Sequence, residues 1–227
     1  MSREGSHGYR GRLLALGAVA GPALLTLAWI ILGLLVPPTE TIYGIQGGIS
    51  GTLTSPISGI GVGPYAALFN TAFILSGLLT IAGLIGVFRL LPANAETRGR
   101  WLVATLLALS PLGFVVAGIF TLENSVLLHM VGFLLAAGTP VLTFVVAGRY
   151  FRRLRHWRGL GNSLLVGSPM TLLLVVTFFL AFDRDAIASG RGLAGIPSRL
   201  LALEIAAYYA AIGWLGFMGE TAERAST

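Results

Sequence analysis

Seven polar residues stand near one end of otherwise apolar stretches: Ser58, Asn70, Glu123, Asn124, His129, Arg199 and Glu204. At 1.5 Å per helical residue, Asn70, His129 and Glu204 reach a similar depth, about four or five residues in. Glu123 and Asn124 lie nearer the boundary in a tight turn, Arg199 begins the last stretch, and Asp183 and Asp185 close the fifth. Such a set could do one of three things. Glu123 and His129 could serve as general acid and base. Arg199 could hold an anionic group, with the others completing a ligand pocket. Or Arg199 pairs with Glu123 or Glu204 and His129 donates to a carbonyl, so that the groups only satisfy buried charge. Arg199 and Glu204 are five residues apart on one helix, about 140° around its axis, which makes Glu123 the expected partner.

Other chemistries are excluded by residue type. Cysteine is absent, so there is no disulfide, thiolate metal site or cysteine nucleophile. His7 and His156 fall at the opposite end from His129, and no HExxH or HxxxH spacing offers a zinc site. No GxSxG elbow marks a serine hydrolase. The glycine runs Gly47–Gly51 and Ser58–Pro64 lack the strand and the Lys-Ser/Thr of a phosphate loop. No cofactor and no metal is implied.

The elements that must position these groups are six apolar stretches, about Leu13–Val36, Tyr65–Leu91, Trp101–Phe120, Val126–Gly148, Asn162–Phe182 and Leu200–Gly219. About 20 apolar residues cross a hydrocarbon core of about 30 Å. Backbone amides in lipid must be paired within their own segment, so each stretch is expected to be a helix. The chain is 55% hydrophobic and 11% charged, against about 25% charged in soluble domains. The expectation is an all-α, polytopic membrane protein: one domain over 1–227 with six transmembrane helices. The first stretch is too long for a signal-peptide core, and Val36-Pro37-Pro38 makes a poor cleavage site.

All 15 basic residues are arginine. With the N-terminus inside, twelve of them fall in the tail 1–12, the second connector, the fourth connector 149–160 and the tail 220–227. Only Arg184, Arg191 and Arg199 fall outside. The positive-inside rule then puts both termini in the cytoplasm of a plasma membrane. The cluster Arg149, Arg152, Arg153, Arg155 and Arg158 reads as a topology anchor that also meets anionic lipid, at about 1 kcal/mol per arginine. It is not read as a nucleic-acid site.

The outer connector 37–64 is long and rich in Gly and Pro, and is expected to lie over the helix ends. Pro22, Pro111, Pro140 and Pro169 fall within spans and should kink them. Gly17 and Gly21 form a GxxxG step, and Gly77, Gly83, Gly132 and Gly138 offer further small faces for close helix approach. No internal repeat is evident, which argues against an inverted-repeat transporter.

Ser55-Pro56-Ile57-Ser58-Gly59, Phe69-Asn70 and Ser76-Gly77-Leu78-Leu79, together with Gly118-Ile119-Phe120, Glu123, His129, the Gly195–Arg199 step and Trp214-Leu215, resemble the "domain of unknown function 998" membrane proteins. Two positions depart from that pattern: Gly59 stands where an acidic residue is usual, and Glu123 where an Asp is usual. The resemblance implies six helices and a prokaryotic membrane, and supplies no activity. It marks Ser58, Asn70, Glu123, His129 and Arg199. The leading expectation is non-catalytic binding or handling of a lipid or small ligand in a polar pocket near the outer leaflet. The rivals are an acid–base enzyme using Glu123 and His129, and a scaffold subunit of a membrane complex. Membrane lipids are the expected partners, and the sequence leaves the oligomeric state open.

Overall fold

A computed structural model describes residues 10–36, 41–42, 45–46, 53–91, 97–188 and 191–224. The tail 1–9, most of the outer connector up to residue 52 (including the Gly47–Gly51 run) and residues 225–227 lie outside the described residues. Among the described residues, six helices are long and apolar enough to cross a membrane: α1 (Arg10–Leu35), α2 (Ala66–Leu90), α3 (Arg98–Ile119), α4 (Val126–Phe151), α5 (Arg155–Ala181) and α6 (Gly195–Gly219). The protein is thus a multi-pass helical membrane protein. Outward-facing aliphatics such as Leu180, 83% exposed, are what a lipid-facing surface requires.

Consecutive helices are neighbours around the bundle, and α6 closes the ring by packing on α1 as well as on α5. Glycine makes the closest approaches possible. A Cβ on Gly83 of α2 would run into the Ala18 backbone of α1, one on Gly17 into the Leu79 carbonyl, and one on Gly77 into the Pro111 carbonyl of α3. Gly132 similarly meets Ala117 across α3 and α4, whereas Gly138 faces open space and supports no contact.

Two of the prolines, Pro111 and Pro140, are accommodated by side chains from other helices. A proline removes the hydrogen bond to the carbonyl four residues earlier. For Pro111 that carbonyl is Leu107, and it accepts from the Tyr209 hydroxyl of α6 at 2.5 Å. For Pro140 it is Ala136, which accepts from Ser110 Oγ of α3 at 2.7 Å. Immediately before Pro140, α4 widens into a π-helical segment, Leu134–Gly138, a feature the hydrophobic pattern did not signal.

The two ends of the bundle differ. At the end carrying the second and fourth connectors, the core is closed by aromatics. Phe151 stacks on Trp157 with centroids 4.9 Å apart, and Phe88 and Tyr150 pack beside them. Arg149, Arg152, Arg153, Arg155 and Arg158 all point away from this core and are exposed. At the other end, the outer connector turns inward as a 3₁₀ segment, Ile57–Val62. Its Ile57 and Ile60 are buried against Leu25, Trp29, Phe69 and Phe73. A two-residue antiparallel strand pair, Thr41–Ile42 with Ile45–Gln46, precedes it.

Candidate ligand site

The 3₁₀ segment is held over the bundle by groups from two helices. Ser198 Oγ, in the first turn of α6, accepts from Ile57 N at 3.1 Å. Arg199 Nη1 donates to the Ser55 carbonyl at 2.9 Å and to the Gly195 carbonyl at 3.1 Å. Its guanidinium lies 5.4 Å from the Trp29 ring centroid of α1, a cation–π contact. Asn70 Nδ2 of α2 donates to the Gly61 carbonyl at 2.9 Å. Arg199 and Asn70, both marked from sequence, are therefore clasps for the cover segment.

Beneath this cover lie two adjoining spaces. The inner chamber, about 80 Å³, is walled by all six helices, with Leu25, Phe73, Phe114, Ala136, Phe178 and Ile205 as one contribution from each. The outer space, about 370 Å³, is a wedge between the ends of α4 and α5. These helices pack together along Thr139–Phe151 but part over Val126–Phe133. Phe133, whose ring lies 4.9 Å from Phe178 and 5.8 Å from Phe179, marks where they diverge. Phe182 and Val126 line the wedge and are themselves largely exposed, so it opens sideways between two membrane-spanning helices.

Ser58 and His129 border both spaces, with Pro56, Phe133 and Phe178. Ser125 caps α4, its side chain accepting from Leu128 N, and this sets His129 one turn in, facing the interior and only 7% exposed. His129 Nδ1 lies 2.9 Å from the Phe120 carbonyl and 3.2 Å from that of Ala117. Carbonyl oxygens only accept, so Nδ1 carries a proton, and in the neutral tautomer that this selects Nε2 is an acceptor. Nε2 makes no hydrogen bond among the described residues. The Ser58 hydroxyl likewise has no partner there, and Ser198, whose oxygen serves Ile57, keeps its own proton to donate.

The polar groups near this end do not converge. Glu123 and Asn124 sit exposed in the α3–α4 turn, where Asn124 Nδ2 donates to the Ile119 carbonyl at 3.0 Å. The expected Arg199–Glu123 ion pair is not formed, because the guanidinium is directed to the cover segment and Trp29 instead. Glu204 faces α5, accepting from Thr171 Oγ1 at 2.9 and 3.0 Å. Asp183 caps the short helix Arg184–Ala188 through the amides of Asp185 and Ala186. Among the described residues, the space beside His129 is lined chiefly by apolar side chains and by no charged one. Sequence reasoning missed Ser198 and the Phe133–Phe178–Phe179–Phe182 cluster, since a serine and phenylalanines in apolar stretches look like ordinary packing. No group of three or more His, Asp or Glu able to hold a metal occurs among the described residues.

The fold and site define a six-helix integral membrane protein with a covered, laterally open apolar wedge. Residues 19–215 match the family model described as "Protein of unknown function (DUF998)", and the chain belongs to that family. No curated protein and no solved structure matches it.

Proposed function

We propose that this protein binds a lipid or lipid-like small molecule, without catalysing a reaction on it, in the wedge between α4 and α5. The observation that carries the reading is the parting of these two helices into an apolar space of about 370 Å³. Its walls Met130, Phe133, Phe178 and Phe179 belong to segments apolar enough to span a bilayer, which supports a chain from the bilayer as its occupant. His129 and Ser58 would orient it. The acid–base alternative needs a carboxylate beside His129, and among the described residues the imidazole hydrogen-bonds only carbonyls. In the arrangement we favour, both termini are cytoplasmic, the wedge opens to the outer leaflet of a plasma membrane, and the exposed arginines of the α4–α5 connector meet anionic headgroups.

Native mass spectrometry of the detergent-purified protein tests the reading. A retained lipid adduct is expected in the wild type. Met130→Trp, which fills the wedge from α4, should lose the adduct while keeping the thermal midpoint within a few degrees. If no adduct survives removal of bulk lipid, or if Met130→Trp retains it undiminished, the wedge is not a lipid site.

A further inference from the structure

We infer that the wedge selects an uncharged, hydroxyl-bearing terminus of a long-chain molecule, a lipid alcohol rather than a phosphate or carboxylate headgroup. This rests on the lipid-binding reading above and adds the chemical class of the ligand. The polar inventory decides it. Among the described residues, no arginine or carboxylate lines either the wedge or the inner chamber. Arg199, the cation expected from sequence to meet an anion, is 9% exposed, stacked on Trp29, gives its Nη1 to the Ser55 and Gly195 carbonyls, and lines neither space. An anionic headgroup drawn under the cover would lose its hydration and meet no countercharge among the described residues, which is prohibitive in an apolar surround.

What the site does offer is neutral hydrogen bonding of complementary sense. With a proton held on His129 Nδ1 by two carbonyls, the neutral tautomer presents Nε2 as an acceptor. Ser198 has a proton to give, its oxygen being taken by Ile57 N, and Ser58 can do either. A hydroxyl both donates and accepts, so one hydroxyl can satisfy His129 and a serine together. An ether can only accept and leaves Nε2 unpaired. The depth also fits. His129 is the fourth residue of α4, about 5 Å along the axis, near the hydrocarbon boundary where a lipid hydroxyl resides, and the phenylalanine-lined wedge lies alongside for the chain.

Three photoreactive C16 probes, each with a mid-chain diazirine, separate the possibilities: a primary alcohol, its methyl ether and its phosphate monoester. Each is added at equal concentration to the full-length protein in phosphatidylcholine nanodiscs, with cross-linked peptides mapped by mass spectrometry. The alcohol should label peptides containing Met130, Phe179 or Phe182 about tenfold more than the ether, the scale of one or two buried hydrogen bonds, and more than the phosphate by at least as much. In His129→Phe the alcohol's advantage over the ether should fall to about twofold or less, and Ser58→Ala should reduce it partially. Ether labelling of each variant reports whether the wedge survives; if His129→Phe loses it, Ser58→Ala carries the comparison. Equal labelling by all three probes, or strongest labelling by the phosphate, overturns the selection for a hydroxyl and leaves lipid binding standing. Absence of wedge labelling by any probe overturns lipid binding itself, and this inference with it.

Discussion

Arg199 shows how a single residue's role is settled by what it can reach. Its Nη1 bonds to the Ser55 and Gly195 carbonyls and its stack on Trp29 join the cover segment, α6 and α1 in one contact. Hydrogen bonds from charged donors are worth about 1.5–3 kcal/mol and a cation–π contact about 0.5–2 kcal/mol. Arg199→Ala should therefore destabilise the detergent-solubilised protein by about 2–4 kcal/mol and speed proteolysis within residues 53–64. Glu123→Ala, at an exposed turn position, should change stability by less than about 0.5 kcal/mol. The double mutant should equal the sum, because the two side chains share no contact. A clear departure from additivity in a thermal-denaturation cycle would show coupling that these bonds do not provide. Glu204 is the contrasting case. Its carboxylate is held by Thr171, so Thr171→Val should weaken the α5–α6 contact and leave the cover segment untouched, measured as a lower thermal midpoint with unchanged proteolysis of 53–64.

At the scale of the helix, α3 and α4 are shaped by proline and repaired by their neighbours. The Leu107 and Ala136 carbonyls freed by Pro111 and Pro140 are taken up by Tyr209 and Ser110. Hydrogen bonds between membrane helices are worth about 0.6 kcal/mol on average and about 1.7 at most. Tyr209→Phe and Ser110→Ala should each cost about that range by detergent-denaturant titration, and a loss well above it would mean that these bonds set the fold rather than repair it. Glycine contrasts make a sharper test. Gly83→Ala places a Cβ against the Ala18 backbone and Gly138→Ala places one in open space. The first should abolish a monodisperse elution peak or sharply lower the melting point; the second should be near neutral.

For the whole molecule, the closed aromatic end and the open wedge end give the bundle a direction across the membrane. The proposed orientation, with the closed end in the cytoplasm, rests on the arginine distribution, and cysteine-scanning can check it in a chain that has no cysteine. Cysteines placed at Ser2 and Ser226 should resist a membrane-impermeant thiol reagent in intact cells, while one at Ser58 should react. Labelling of either terminus reverses the orientation and puts the wedge in the inner leaflet.

The six spans were legible because lipid imposes one local rule on every residue: the backbone must bond within its own segment, and about 20 apolar side chains must cover it. Gly17, Gly21, Gly77, Gly83 and Gly132 were readable as contact points for the same reason, since only small residues let helices touch. The polar residues were not readable as a site. Depth along a helix can be counted, but the direction a side chain faces depends on how that helix is rotated against five others. Rotation placed His129 on the interior, left Glu123 and Asn124 in an exposed turn and turned Glu204 toward Thr171. Likewise the π segment before Pro140 and the parting of α4 from α5 arise from packing between helices. Sequence determined that this chain lives in a membrane and where its helices run; tertiary packing alone decided that the cavity at one end is lined, among the described residues, chiefly by apolar side chains and lies between parted helix ends.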